Sequence, residues 1–129
     1  MKEYAIKEHH LYNKAFRGGT RFVGRTLAVY VLRDFTAKRL MLANPQKQYL
    51  NRVGLSVGKR LGGAVGRNRA KRLLREAYRA VCREYTLKKG FLIVLVARDE
   101  IAGKKAGDVT TEMTRAMKKL DMITGVPTK

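Results

Sequence analysis

The residues best suited to chemistry lie in one basic segment, GRNRAKRLLREAYR, at positions 66–79. On a helix, residues three or four positions apart share a face. One face of this segment and its continuation would carry Asn68, Arg72, Arg75, Arg79 and Arg83, with Arg69 and Lys71 on its flanks. A guanidinium group can donate hydrogen bonds to two phosphate oxygens at once, and it can stack on a base. The segment therefore predicts a helix that binds a polyanion.

A solvated charged helix face is the alternative interpretation of this segment. Such a face usually alternates acidic and basic residues, so that pairs offset the repulsion between like charges. Here Glu76 is the one acidic residue between positions 66 and 83. The preceding stretch SVGKRLGGAVG adds two cations, Lys59 and Arg60. Its glycines leave backbone N–H groups accessible, and these groups could bind anions. It lacks the GxxxxGK[ST] spacing of a nucleotide-binding P-loop.

The composition of the chain supports a nucleic-acid partner. The 129 residues include 29 Lys and Arg against 10 Asp and Glu, a formal net charge of +19. An anionic membrane surface is the second candidate, but the longest apolar run, FLIVLVA, is far shorter than the ~20 residues that span a bilayer. The start of the chain has no signal-peptide pattern, and the single Cys82 cannot form an internal disulfide. We expect a cytoplasmic protein without a membrane partner.

The candidates for catalysis by the protein itself are weak. A two-metal nuclease needs clustered carboxylates, and a metal-free one needs histidines placed as acid and base. The pair Asp99 and Glu100 follows a predicted strand, where a turn is the ordinary explanation, and His9 and His10 would point in different directions. We expect no catalytic residue, no metal site and no cofactor in the protein alone.

The elements that must position the basic helix form a small α+β domain. Apolar spacing predicts helices over 8–17 and 67–85, the second with a core stripe of Ala70, Leu73, Leu74, Ala77 and Val81. Strands are predicted over 26–32, 52–58 and 91–98, with a hairpin loop over 36–49. A last helix would be capped by Asp108 and ended by Gly125 with Pro127. We expect one domain over 1–129, with a short, mostly antiparallel sheet and about three helices.

The stretch RVGLSVGKRLGGAVGRNRAKRLLREAYR, 52–79, resembles the protein subunit of bacterial ribonuclease P. Its centre, RNRAKRLLRE, is similar to that family's Arg-Asn-Arg signature helix. Tyr12, Phe16, the pair Gly19-Thr20, Tyr30 and the strand FLIVLVAR occur in the family's order, so the resemblance covers about 6–122. The chain departs from the family at Gly63, where asparagine is common.

The resemblance implies a function in RNA processing. Proteins of this family assist a catalytic RNA, with magnesium at the RNA active site, that removes the 5′ leader from precursor tRNA. The partners implied are ribonuclease P RNA and precursor tRNA, with no obligate protein partner, and the protein alone is expected to be inactive. The resemblance also implies a left-handed βαβ crossover, of the type found in the second domain of a ribosomal protein.

The resemblance assigns two groups of site residues. The leader would be held between the first helix and the sheet, where Tyr12, Phe16 and Tyr30 could stack on unpaired bases. From spacing alone, Tyr12 and Phe16 could equally be core residues. The implied contacts to the RNA subunit are Lys59, Arg60, Arg67, Asn68, Arg69, Lys71, Arg72, Arg75 and Arg79.

Two other functions remain open at the level of the sequence. A structural RNA-binding protein of ribosomal or nucleoid type would share the basic helix but would show no preference for precursor over mature tRNA. An autonomous protein nuclease would cleave precursor tRNA without RNA, and it is disfavoured by the missing carboxylate cluster.

Overall fold

The computed structural model describes residues 4–6, 9–34 and 51–125. Helices α1, α2 and α3 span His9–Gly18, Ala64–Glu84 and Ala106–Lys119. Two 3₁₀ turns span Lys59–Leu61 and Asp99–Gly103. The strands are β1 (Tyr4–Ala5), β2 (Thr20–Val23), β3 (Leu27–Arg33), β4 (Arg52–Ser56), β5 (Thr86–Leu87), β6 (Phe91–Ala97) and β7 (Ile123–Gly125).

Five strands form one sheet in the order β1-β4-β6-β3-β2, and β5 pairs with β7 separately. β3 is antiparallel to both β2 and β6, whereas β4 is parallel to both β1 and β6. The predicted α+β class is confirmed. The five-stranded sheet is mixed rather than mostly antiparallel, because α2 returns the chain to the starting end of the sheet and makes β6 parallel to β4.

Strand β6 lies between β3 and β4, so these two strands are not a hairpin. The hairpin predicted from their closeness in sequence is therefore wrong, and its loop, 36–49, lies outside the described residues. The handedness of the β4-α2-β6 connection stays a prediction from the resemblance.

The two faces of the sheet have separate apolar cores. Side chains of a strand alternate between faces. One face, which includes Val29, Ile93 and Leu95, packs against α2 and α3, and the other packs Leu92 and Val94 against α1. The predicted stripe on the long helix is confirmed, because its five members are buried in the first of these cores: Ala70, Leu73, Leu74, Ala77 and Val81.

The start of α3 differs from the prediction. The helix begins at Ala106 and its N-cap residue is Lys105, so Asp108 is the third residue of the helix and not its cap. The carboxylate of Asp108 accepts a hydrogen bond from the backbone N–H of Lys105 at 3.1 Å. An acidic residue at this third position also stabilises a helix start, because it reaches back to the cap residue. Asp108 therefore marks the start of the helix but was assigned the wrong position in it. The end also differs, because the helix ends at Lys119 and Gly125 lies in β7.

An ion pair joins the ends of β3 and β4 across the sheet. The guanidinium of Arg52 donates to both carboxylate oxygens of Asp34, at 2.5 and 2.8 Å, and the Asp34 side chain is 2% exposed. Nearby, the Asn51 amide donates to the carbonyl of Lys88 and accepts from the N–H of Phe91. These contacts fix where β4 begins relative to β6.

Glu112 of α3 holds the turn between β2 and β3. One of its carboxylate oxygens, Oε1, accepts from the Thr26 N–H at 2.7 Å, the Thr26 hydroxyl at 2.6 Å and the Leu27 N–H at 3.1 Å. A Cβ on Gly24 would clash with the Glu112 carboxyl group, so a larger residue there would displace that carboxylate. Burial raises the pKa of Glu112, but the hydrogen bonds from Thr26, Arg25 and Leu27 outweigh it and lower the pKa overall.

We predict that Glu112→Gln destabilises the fold at neutral pH by about 1–2 kcal/mol, because the backbone donors lose a charged acceptor. The pKa is lower in the folded state, so the carboxylate stabilises the fold above its unfolded pKa, and this contribution is lost as the pH falls through the folded pKa. Urea unfolding of wild type and variant across this range measures the difference. The two should converge in acid.

The matched control for this test is Glu100→Gln, an exposed carboxylate near the same turn. It should leave the free energy of unfolding within about 0.5 kcal/mol of wild type. A destabilisation by Glu112→Gln that is the same in acid as at neutral pH would contradict the assigned role.

Candidate nucleic-acid interface

Helix α1 lies across the strands on its face of the sheet. Near its start, the Tyr12 ring covers Gly54 of β4, and a Cβ on Gly54 would lie 2.6 Å from the ring carbon Cζ. At its end, Gly18 lies beside Leu32 of β3. The helix therefore extends from β4 over β6 to β3, with glycine in β4 allowing its close approach.

The predicted aromatic residues meet along one row of this face. In the strand register, Gly54 is opposite Val94 and Val94 is opposite Tyr30, so all three point towards α1. The rings of Phe16 and Tyr30 make an edge-to-face contact, with centroids 4.9 Å apart and an interplanar angle of 81°. Phe16 is 37% exposed, and Tyr12 and Tyr30 are half-buried.

The next row of the same face has small side chains. Ser56, Val96 and Ala28 are opposite one another in the register, two residues along each strand from the row of Tyr30. We define the aromatic cleft as Tyr12, Phe16 and Tyr30 together with this row. The space above Gly54 is taken by the Tyr12 ring, because glycine there admits the helix.

The basic residues of α2 are arranged as predicted. The apolar stripe faces the sheet, and the opposite face is exposed. We define the basic row as the exposed residues Asn68, Arg72, Arg75, Arg79 and Arg83. Arg67 and Lys71 are half-buried on the flanks of this row. The cations thus point away from the core.

A cavity at the edge of β4 joins the aromatic cleft to the basic row. β1 pairs with Arg52 and Val53 alone, and no strand in the described ranges covers the outer edge of β4 beyond them. The cavity there has a volume of ≈ 370 Å³ and an apolar floor that includes Val53 and Leu55. Its other lining residues include Tyr12 from the cleft and Lys71, Arg75 and Arg79 from α2.

The glycine-rich approach to α2 forms a tight turn. Gly62 has φ 97°, a conformation that favours glycine, and a Cβ on Gly66 would lie 2.5 Å from the carbonyl oxygen of Leu61. Gly63 is the N-cap of α2 and makes no side-chain cap. Asparagine, which the resemblance leads us to expect at this position, is a preferred N-cap residue. Glycine in place of asparagine therefore leaves the start of α2 without a side-chain cap.

Lys59 and Arg60 lie on the 3₁₀ turn before this approach, and both are exposed. Arg60 pairs with Asp99 at 3.3 Å, and both side chains are largely exposed. A pair of this kind contributes little to stability. Both residues remain accessible to a ligand.

Arg69 has an intramolecular role that sequence reasoning missed. Its guanidinium donates to the carbonyl oxygens of Ala102 at 3.0 Å and Lys104 at 2.6 Å, and it lies 3.5 Å from that of Ile101. It therefore holds the 3₁₀ turn 99–103 against α2. Contact between Arg69 and RNA stays a prediction. No spacing rule could reveal this role, because the acceptors are backbone atoms more than 30 residues away.

The other candidate reactive residues do not assemble into a site. Asp99 and Glu100 lie in the second 3₁₀ turn, and His9 and His10 are exposed on α1. Cys82 is half-buried beside the core of α2 and α3. Within residues 4–6, 9–34 and 51–125, no group of three or more His, Cys, Asp or Glu could hold a metal ion. No helix in the same ranges is long and apolar enough to cross a membrane.

Comparison with known proteins places these features in a family. The sequence model described as Ribonuclease P matches residues 1–121. The chain belongs to the ribonuclease P protein family. It is 32% identical over 123 residues to the ribonuclease P protein component of Clostridium acetobutylicum, covering 95% of this chain and 93% of that protein. It is 36% identical over 114 residues to that of Bacillus velezensis, covering 88% and 82%.

Solved structures of ribonuclease P proteins share the fold. The protein from Staphylococcus aureus superposes with a TM-score of 0.72 at 22% identity, covering 94% of this chain and 98% of that one. The protein from Thermotoga maritima gives 0.67 at 19% identity, covering 88% and 94%. As a family member, the chain is an RNA-binding subunit of an endoribonuclease of tRNA 5′ processing and partners with ribonuclease P RNA.

We predict that Arg69→Met and Arg72→Met affect different properties. Arg69→Met should lower the free energy of unfolding by about 1–2 kcal/mol, because backbone carbonyls lose a charged donor. Arg72→Met should leave it within about 0.5 kcal/mol of wild type. It should instead reduce the slope of log affinity for ribonuclease P RNA against log salt by about 0.7–0.9, the effect of one phosphate contact. Urea unfolding and salt-dependent binding measure the two properties.

The two variants are matched, since each removes one guanidinium from α2. Unchanged stability of Arg69→Met, together with a reduced salt slope, would show that Arg69 acts on RNA and not on the 99–103 turn.

Proposed function

We propose that the chain holds the 5′ leader of precursor tRNA in the aromatic cleft while the basic row binds ribonuclease P RNA. The observation that carries this proposal is the cavity at the edge of β4, where Tyr12 of the cleft and the cations of α2 line one space. Aromatic faces suit the unpaired bases of the leader and cations suit the phosphates of the RNA subunit, so the two RNAs would lie side by side at this cavity.

The aromatic cleft suits an unpaired strand of variable sequence. Phe16 remains exposed although its ring contacts Tyr30, and the neighbouring row of the sheet has the half-buried side chains of Ser56 and Val96 and the buried Ala28. Stacking is favourable for every base, so it does not require a particular leader. This property fits an enzyme that processes many precursors.

The basic row suits the RNA subunit. Its arginines are exposed on one helix face, and the exposed residues Lys59 and Arg60 extend the same charge on the glycine-rich approach. We propose that Arg67, Asn68, Lys71, Arg72, Arg75 and Arg79 contact this RNA together with Lys59 and Arg60. Arg69 would support them by holding the neighbouring 3₁₀ turn.

The chemistry in this proposal belongs to the RNA. The RNA subunit would hold the magnesium ions and cleave the phosphodiester bond, and the protein would position the leader. The protein alone is proposed to be inactive. The proposed location is the cytoplasm, where bacteria make precursor tRNA.

The test compares Phe16→Ala and Tyr30→Ala in the complex with ribonuclease P RNA. Each should weaken the binding of precursor tRNA by about 1–3 kcal/mol per base no longer stacked. Each should leave the binding of mature tRNA unchanged, because mature tRNA has no leader. Equilibrium binding of the two RNAs to the complex measures the difference.

Tyr85→Ala is the matched control, since Tyr85 is a half-buried aromatic residue of the α2–α3 core, on the opposite side of the sheet from the aromatic cleft. It should not alter the preference for precursor tRNA. An equal loss of affinity for both RNAs in the Phe16 and Tyr30 variants would favour a structural RNA-binding protein over a leader-binding subunit.

A further inference from the structure

Helix α1 has a second polar face, on the side away from Tyr12 and Phe16. His10, Asn13, Lys14 and Arg17 are three or four positions apart and exposed. With Gly18 and Leu32 they line a groove of ≈ 720 Å³, which we call the outer groove. The aromatic cleft does not include any of these residues.

The outer groove and the aromatic cleft lie on opposite sides of α1. Leu32 is opposite Leu92 and Arg52 in the sheet register, two residues along β3 from Tyr30. The row that forms the floor of the aromatic cleft, which includes Ala28, is displaced from Tyr30 in the other direction. The helix is ten residues long, about 15 Å, and separates the two spaces.

The charged side chains that line the outer groove, Lys14 and Arg17, are both cations, and the lining includes no Asp or Glu. Residues 9–33 include five Lys and Arg and no Asp or Glu. Neither Lys14 nor Arg17 forms an ion pair with a carboxylate in the described part of the chain. The dipole of α1 favours a cation at its end and so explains Arg17, but not Lys14 in the middle of the helix. Like charges gathered this way favour an anionic ligand.

Cations connect the two spaces around the end of α1. Arg21 of β2 is opposite Tyr30, so its side chain is on the same face of the sheet as the aromatic cleft. Arg17 follows Phe16 directly and lines the outer groove. A single-stranded nucleic acid that leaves the cleft beside Phe16 would therefore pass Arg21, then Arg17, then Lys14.

We propose that the outer groove binds the phosphates of the leader beyond the nucleotides that occupy the aromatic cleft. The ligand is the backbone of single-stranded RNA, because the groove presents Lys14 and Arg17 to phosphates, and its one aromatic residue is His10. Binding there is independent of base sequence and strongly dependent on salt. The inference rests on the proposed function of the cleft.

The test is the double variant Lys14→Ala/Arg17→Ala in the complex with ribonuclease P RNA. Precursor tRNAs with a short leader, which fills the cleft alone, and with a long leader are bound over a range of salt concentrations. The variant should lose the extra affinity that wild type gains from the long leader. Its salt slope for the long leader should fall by about 1.4, or about 0.7 for each phosphate contact. Short-leader binding should not change.

The matched control is Arg115→Ala/Lys119→Ala, which removes two exposed cations from α3 on the other face of the sheet. It should retain the gain from the long leader. The inference is overturned if Lys14→Ala/Arg17→Ala retains that gain, if the control loses it equally, or if the variant weakens assembly with ribonuclease P RNA instead. Failure of the proposed function is distinct, because wild type itself would then bind precursor tRNA no better than mature tRNA.

Discussion

Strand β6 is the constraint on which the rest of the structure depends. It is hydrogen-bonded to β3 on one side and β4 on the other, and its central residues are buried against helices on both faces. Ile93 and Leu95 fix α2 and α3, whereas Leu92 and Val94 fix α1. The aromatic cleft and the basic row are thus positioned by the two faces of one strand.

The electrostatics explain why this architecture needs a partner. A chain with a net charge of +19 repels itself, and α2 concentrates that charge on one exposed face. The buried stripe of the same helix fixes these cations close together. Bound phosphates would offset the resulting repulsion between like charges. The few carboxylates with well-defined contacts serve the fold: Asp34 joins β3 to β4, and Glu112 holds the β2–β3 turn. They do not neutralise the basic row.

Periodic patterns explain what the sequence could predict. The buried stripe and the exposed row of α2 follow a helical period over about four turns, and β6 is a continuous apolar run, so both were identified correctly. Strands β1, β2, β5 and β7 have two to four residues, too few to show a period, and none was predicted. The aromatic site residues were assigned through family resemblance, because Tyr12 and Phe16 alone also fit a core.

Tertiary contacts explain what the sequence could not predict. The ring of Tyr12 fills the space above Gly54, a contact between residues on separate elements. The guanidinium of Arg69 binds backbone carbonyls of a distant turn, although its type and spacing match the phosphate-binding arginines beside it. In both cases the sequence showed the type of side chain but not its contact within the protein, since that contact depends on how the elements pack.

The measurement that tests the central claim most directly is the cleavage of precursor tRNA by ribonuclease P RNA at low magnesium concentration, with and without this protein. The account predicts that the protein stimulates cleavage and that the stimulation shrinks when the leader is trimmed to a nucleotide or two. Stimulation that does not depend on leader length would contradict the assignment of the aromatic cleft. No stimulation with the cognate RNA would contradict the account as a whole.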